Sequence, residues 1–163
     1  MPEREILDLD VLFVGAGPAS LAGAIQLKRL FNESGCKASV AVLEKASEVG
    51  AHSLSGAIFD PRSLIELFPD YKDRNVPFEA EVKEEHMYYL MKGKKLPFPY
   101  VPPSMRHHGC YVTSLGKFTR WLGDRAEEEG VDIFCGFSGT EFIYDDDKVI
   151  GVKTGDRGID KDG

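Results

Sequence analysis

An α/β fold organised round a parallel sheet is predicted by three observations taken together. The run Asp10–Val14 is an apolar strand. It leads straight into the glycine-rich turn Gly15-Ala16-Gly17-Pro18-Ala19-Ser20, which opens a helix expected from Ser20 to about Leu30. A second apolar strand, Ala38 to Leu43, follows and ends on Glu44. This order is a βαβ unit of the Rossmann-like kind, shaped to hold a dinucleotide.

Each part of the unit has a physical task. Gly15 permits the tight turn, and Gly17 lacks a side chain, so a pyrophosphate can approach the backbone. The helix N-terminus offers free N–H groups and a partial positive charge to the phosphates. Glu44 stands where a carboxylate can accept hydrogen bonds from a ribose diol; an arginine there would suit a 2′-phosphate. Ser20 replaces the third glycine of the strict pattern and is small enough for close helix–strand packing. The motif alone does not choose between FAD and NAD, and a βαβ crossover without a ligand is its plain structural alternative.

The chain of 163 residues is long enough for one domain with a sizeable core. Hydrophobic residues at 42% and charged ones at 29% are ordinary for a globular protein. A net charge of −7 disfavours nucleic acid and anionic membrane as bulk electrostatic partners. Cys36, Cys110 and Cys135 are widely spaced with no CxxC pair, which reads as reduced thiols and not as a metal site. The start Met1-Pro2-Glu3-Arg4-Glu5 has neither a signal core nor a transit pattern, so a cytoplasmic or already processed chain is expected. No apolar run approaches the roughly 20 residues of a membrane span.

Past Glu44, the stretch Lys45–Gly56 is loop-like and rich in Gly, Ser and Ala. Such residues suit ligand contact, or simply a surface loop. His52 within it is a catalytic base or, more commonly for such a histidine, a structural hydrogen-bonding group. Asp60-Pro61 starts a short helix, with Asp60 as cap, apolar Leu64, Ile65, Leu67 and Phe68, and Pro69 as stop. Tyr71 to Glu85 reads as a polar connection. His86 to Leu96 reads as a hairpin, with Met87–Met91 as first strand, Lys92-Gly93-Lys94 as turn and Lys95-Leu96 as return.

Four prolines then bar regular structure across Leu96–Met105. The large apolar residues Phe98, Tyr100, Val101 and Met105 there form either a lid on the core or an exposed patch for a ligand, partner or membrane. His107-His108 lacks the further ligands of a metal site. Tyr111–Ser114 is a strand leading to a helix capped by Ser114, with Leu115, Phe118, Leu122 and Ala126 on one face and Gly130 as stop. Val131–Cys135 is a buried-type strand. Glu141–Tyr144 and Lys148–Lys153 form a second hairpin about the solvated turn Asp145-Asp146-Asp147. Thr154–Gly163 reads as a loop.

Several of these motifs carry a family resemblance. Val14-Gly15-Ala16-Gly17-Pro18-Ala19 with Glu44-Lys45 resembles the FAD-binding domain of glutathione-reductase-type flavoproteins. Gly50-Ala51-His52-Ser53-Leu54-Ser55-Gly56-Ala57, Asp60-Pro61-Arg62, Glu66–Asp70, His108-Gly109, Tyr111-Val112, Ser114-Leu115-Gly116 and the closing Gly155–Gly163 are more specific. In this order they are similar to the electron transfer flavoprotein–ubiquinone oxidoreductase family. FixC-type dehydrogenases and geranylgeranyl reductases are related alternatives, and a nucleotide-binding module without redox chemistry is a third reading.

The resemblance implies an incomplete Rossmann-like FAD domain spanning 1–163, with β-hairpin insertions that include a hairpin and proline–aromatic loop at 86–110. It implies electron transfer from reduced electron transfer flavoprotein to ubiquinone, with FAD and a [4Fe–4S] cluster, and no catalytic acid or base. Gly15, Gly17, Pro18, Ala19 and Ser20 would meet the pyrophosphate. Glu44 would hold the adenosine ribose, with Lys45 near the adenine side. Ser53, Leu54, Ser55 and Gly56 would run beside the flavin. Pro97, Phe98, Tyr100, Val101 and Met105 would face quinone or bilayer, as a peripheral contact. The location implied is the cytoplasmic face of a bacterial inner membrane, or the mitochondrial inner membrane after loss of a transit peptide. Ser20 departs from the family's usual Gly, and Cys110 from its frequent Asn. The chain provides no four thiolates at cluster spacing, so it reads as an N-terminal fragment expected to hold FAD weakly and to lack quinone reductase activity alone.

Overall fold

A computed structural model describes residues 5–156. In chain order the elements are β1 (Val11–Val14), α1 (Pro18–Ser34), β2 (Val40–Glu44), β3 (Ala57–Phe59), α2 (Arg62–Leu67), β4 (Phe78–Glu81), β5 (Tyr88–Met91), β6 (Lys94–Pro97), β7 (Tyr111–Thr113), α3 (Leu115–Glu129), β8 (Asp132–Cys135), β9 (Gly139–Asp145) and β10 (Lys148–Thr154). Single 3-10 turns lie at Tyr71–Asp73 and Pro103–Met105. The closing motif from Arg157 to Gly163 and the start Met1–Arg4 lie outside the described residues. Contacts divide the chain into two compact units, Met1–Ser53 with Thr119–Gly163, and Leu54–Phe118.

The first unit is a parallel sheet in the order β1-β2-β8. Val11 pairs with Val40 and Val14 with Leu43, while on the other side Glu44 pairs with Cys135. The middle strand is therefore β2. Val40, Ala41 and Val42 are fully buried there, as a parallel strand covered on both faces must be. Asp10 ties the strand starts together: its carboxylate accepts from both the N–H and the hydroxyl of Ser39, each at 2.8 Å. Those bonds, the backbone one foremost, hold its carboxyl below the usual carboxylate range.

Helix α1 starts at Pro18, earlier than Ser20, and runs past Leu30 to Ser34. Proline suits a first helical turn because its missing N–H has no partner to lose there. Gly35, at φ 71°, ends the helix. Its N–H bonds Asn32 and that of Cys36 bonds Phe31 at 2.8 Å, a Schellman-type stop. Leu21, Ala24 and Ile25 face the core. Close contact with β1 falls on Gly23, where an added Cβ would lie 3.3 Å from the Phe13 ring. Ser20 was expected to serve that packing.

Helix α3 ends as expected at Gly130, φ 92°. Its N–H and that of Val131 turn back to Glu127 and Ala126. Trp121, Leu122 and Ala126 are buried on one face. The Arg29 guanidinium binds the Glu129 carboxylate at 2.7 Å and joins α1 to α3. Hairpin β9–β10 is antiparallel, as expected, and pairs Lys148 with Asp145 across the acidic turn.

The second unit holds the antiparallel sheet β3-β7-β4. Strands β3 and β4 correct the sequence reading, which left Ala57–Phe59 unassigned and treated Phe78–Glu81 as connection. Both are short, and β4 carries exposed Glu79 and Glu81, so only pairing with β7 reveals them. Phe78 stacks on Tyr111 with centroids 4.1 Å apart, and Phe59 packs on Phe118 at 4.6 Å. Leu64, Phe68 and Tyr71 complete this core. Helix α2 starts one residue later than expected; Asp60 still accepts the Arg62 N–H at 3.1 Å. The ribbon β5–β6 pairs Met91 with Lys94. Its turn is therefore only Lys92-Gly93, with Gly93 at φ 74°.

Candidate functional site

The carboxyl ends of β1, β2 and β8 lie side by side at one edge of the parallel sheet, where open α/β sheets take their ligands. The glycine turn sits at the end of β1. Gly15 has φ 98°, a left-handed value a side chain rarely tolerates. Its N–H donates to the Leu43 carbonyl at 2.7 Å, which pins the turn to β2. Gly17 is different. It caps α1 in extended backbone, φ −77° and ψ 165°, with no side-chain cap. Nothing lies within 4 Å of where its Cβ would stand. The need for glycine at Gly17 is thus not conformational; the room beside it fits a ligand.

The first intrahelical bond runs from the Leu21 N–H to the Gly17 carbonyl at 3.0 Å. The amides of Ala19 and Ser20 precede it and belong to the unpaired N–H set of a helix start. No acidic side chain of α1 itself stands in that first turn, so none of the helix's own residues offsets the positive end of its dipole. Ala19 is exposed, while Pro18 and Ser20 are half-buried.

Glu44 ends β2 and reaches back to the turn. Its Oε2 accepts the Ala16 N–H at 2.9 Å and its Oε1 accepts the Ala46 N–H at 2.8 Å. The carboxylate therefore braces the glycine turn and the turn after β2 at once. Each oxygen keeps a further lone pair for a hydroxyl donor. Lys45 beside it is exposed.

The segment after β8, not singled out in the sequence as a site, closes this edge. The Phe137 N–H donates to the Glu44 carbonyl at 2.9 Å and the Gly136 N–H to the Ala46 carbonyl at 2.6 Å. Gly136 takes φ 80° to make that turn. The Cys-Gly-Phe-Ser-Gly run after an apolar strand was the available signal. Burial, and then the Glu44 charge, push the Cys135 thiol up.

The loop after Lys45 winds through short turns, with Ala51 bonding back to Glu48 and Ser53 to Gly50. His52 is exposed on it. Ser53 is the last residue of this stretch in the first unit; Leu54, Ser55 and Gly56 open the second. Leu54 is 83% exposed and Gly56 has φ 78°.

In the second unit, Pro97 ends β6 and Phe98 extends the ribbon, its N–H bonding the Met87 carbonyl at 2.8 Å. Phe98, Tyr100 and Met105 are half exposed, while Val101 is partly covered. Phe98, Tyr100 and Val101 line, with Met87 and Tyr88, an open hollow of about 240 Å³. The Arg106 Nε donates to the Val101 carbonyl at 3.1 Å and holds this loop. Among the described residues no group of His, Cys, Asp and Glu is placed to hold a metal ion. None of the described helices is long and apolar enough to cross a membrane.

No protein-family model matches the chain. Individual proteins do. The chain is 48% identical over 99% of its length to a probable electron transfer flavoprotein-ubiquinone oxidoreductase of Acinetobacter baylyi, covering 29% of that protein. It is 46% identical to the Pseudomonas aeruginosa electron transfer flavoprotein-ubiquinone oxidoreductase, covering 30% of it, and 42% identical to the mitochondrial mouse protein, covering 26%. In these two comparisons, too, 99% of the chain is aligned. The chain thus spans less than a third of the length of these curated relatives and matches their N-terminal part. Among solved structures, a geranylgeranyl bacteriochlorophyll reductase-like protein from Thermoplasma acidophilum aligns with a TM-score of 0.61 at 21% identity, over 90% of this chain and 34% of that one. A flavin-dependent brominase aligns with a TM-score of 0.61 at 18% identity, over 93% and 34%. These two likenesses are of fold.

Proposed function

We propose, from its homology to the N-terminal part of the electron transfer flavoprotein–ubiquinone oxidoreductases, that this chain holds the ADP half of FAD for that electron transfer. The observation that carries the reading is the glycine turn joined to Glu44 at the sheet edge. The residues fit the group. Gly17 leaves open space beside a helix start whose amides precede the helix ladder, which suits a pyrophosphate. Glu44 stands next to that space with lone pairs for ribose hydroxyls. Bound FAD would supply a carrier of one or two electrons. This chain's own part is binding and orientation: Gly15 through Ser20 at the phosphates, Glu44 at the ribose, Lys45 toward the adenine side, and Ser53–Gly56 along the flavin. The glutathione-reductase-type form of the domain belongs to the same reading.

Electron transfer flavoprotein as donor and ubiquinone as acceptor are proposed for the whole protein. Pro97, Phe98, Tyr100, Val101 and Met105 are proposed to face quinone or bilayer, supported by the exposure of Phe98, Tyr100 and Met105 and by the hollow that Phe98, Tyr100 and Val101 line. The location proposed is an inner membrane surface, bacterial or mitochondrial, matching the range of relatives. The [4Fe–4S] cluster is proposed only for the whole protein. Cys36, Cys110 and Cys135 stand on separate stretches, after α1, before β7 and at the end of β8.

Two glycine variants test the binding role. Ala at Gly17 keeps an allowed backbone. Its weaker capping is offset by a less flexible unfolded chain, so stability stays within about 0.5 kcal/mol. Its methyl group fills the phosphate space, so ADP and FAD binding, read by calorimetry, fall by at least about tenfold. Gly15→Ala loses stability as well, by about 1–2 kcal/mol, because of its positive φ. Unchanged nucleotide affinity in Gly17→Ala overturns the reading.

A further inference from the structure

We infer that the β5–β6 ribbon recognises an anionic phospholipid surface, its lysines reading the headgroups while its apolar side chains enter the interface; this rests on the proposed membrane contact. The first observation is exposure. Every residue of both strands is exposed, including Tyr88, Tyr89, Leu90, Met91 and Leu96, with Leu90 at 75%. Strand alternation puts Tyr88 and Leu90 on one face and Tyr89 and Met91 on the other. Both faces of the ribbon are therefore apolar. A two-stranded ribbon so exposed is marginal in water.

The second observation is charge. The chain carries 27 Asp and Glu and a net charge of −7. Yet none of those acids falls between Met87 and Tyr111, a stretch holding Lys92, Lys94, Lys95 and Arg106. Three of these cations cluster at the ribbon tip. The register places Lys94 directly across from Met91 and Lys95 across from Leu90, with Lys92 in the turn between them. The Lys95 ammonium lies 4.5 Å over the Tyr88 ring, so cation and aromatic share one face. Acids flank only the base: Glu84 pairs with His86, and Glu85 accepts the His107 N–H. The other exposed apolar ribbon, β9–β10, makes the contrast. Phe142, Ile143, Tyr144, Val149 and Ile150 are exposed there too, but its tip is acidic, Asp145 ending the strand and Asp146-Asp147 making the turn. Of these two ribbons among the described residues, β5–β6 combines apolar area with uninterrupted positive charge, and that combination matches an anionic bilayer interface.

The test is partition of the chain into vesicles of pure phosphatidylcholine or of phosphatidylcholine with phosphatidylglycerol, read by co-sedimentation. Binding to the anionic vesicles is expected to exceed binding to neutral ones by on the order of a hundredfold, from three lysines near the surface. It should weaken as salt rises. The triple variant Lys92→Gln/Lys94→Gln/Lys95→Gln should lose that preference, and the triple Lys→Arg variant should keep it. Tyr89→Ser/Leu90→Ser should weaken binding to both vesicle types. Circular dichroism checks that each variant keeps the fold. If wild type and triple-Gln variant bind neutral and anionic vesicles alike while the Ser variant does not bind, the lipid-charge inference is overturned and the membrane reading stands. If no vesicle is bound, both fall. If the lysines instead govern binding to soluble polyglutamate and not to vesicles, the ribbon docks an acidic protein and the inference is overturned.

Discussion

Replacing Glu44 by Gln probes the brace beneath the glycine turn. The native carboxylate accepts two backbone N–H bonds, from Ala16 at 2.9 Å and from Ala46 at 2.8 Å. A glutamine amide has one acceptor oxygen. It can satisfy either N–H, but its NH₂ group then faces the other donor. The substitution so removes one charge-assisted bond, worth roughly 1.5–3 kcal/mol, and leaves an N–H unpaired. The site is partly buried, so water recovers some of this. A net loss of about 2 kcal/mol is expected, or roughly 4–8 °C in melting temperature for a chain of this size. The turn also loses its preset shape, and the ribose loses an ionised acceptor. ADP affinity should therefore fall by roughly 10- to 100-fold. Thermal melting followed by circular dichroism and titration calorimetry with ADP read the two effects. Glu44→Asp, too short to span both amides, should lose stability in the same direction. If Glu44→Gln melts within about 1 °C of wild type, the brace is not what holds the turn. If it binds ADP as tightly as wild type, the ribose role is refuted separately.

Two further expectations concern titrating groups. The Tyr111 hydroxyl meets that of Tyr71 at 3.3 Å, and this bond, then burial, pushes its pKa up to about 12 from an ordinary 10.0. Because the folded value is raised, the stabilisation is complete below pH 10.0 and is lost as pH rises toward about 12. Tyr111→Phe keeps the stack on Phe78, costs about 1 kcal/mol at neutral pH, and should flatten that alkaline limb; an unchanged pH profile of denaturant midpoints counts against it. Among the cysteines, exposed Cys36 should be alkylated by iodoacetamide well before Cys135, whose thiol is half-buried and shifted upward by burial and by Glu44. Peptide mapping with Cys135 labelled first would show the β8 end to be open.

The parallel unit was legible because its signals are local. An apolar strand, two glycines with separate reasons and a helix of core-facing Leu21, Ala24 and Ile25 follow one another within a few turns of chain. The end of α3 is legible at Gly130, whereas α1 runs past its expected end near Leu30 to the left-handed Gly35. The misses share one cause. Strands β3 and β4 hold three and four residues, too few for a pattern, and form only because β7 supplies partners from a distant part of the chain. Gly23 escaped notice because its role depends on the Phe13 ring packed against it. The residues after β8 escaped because their tie to Glu44 and Ala46 crosses most of the sequence.

By itself, the sequence determined that a strand, a glycine turn and a helix start would follow one another, with a carboxylate at the end of the next strand. Backbone freedom at Gly15 and the missing side chain at Gly17 are properties of single residues, so they can be read without a fold. Only the tertiary structure decided what Glu44 holds. Its bond to Ala46 is local, but its bond to Ala16 exists because β1 and β2 run parallel in a register that brings the Ala16 N–H within 2.9 Å of its carboxylate. That register is held by the burial of β2 on both faces, a property of the assembled sheet.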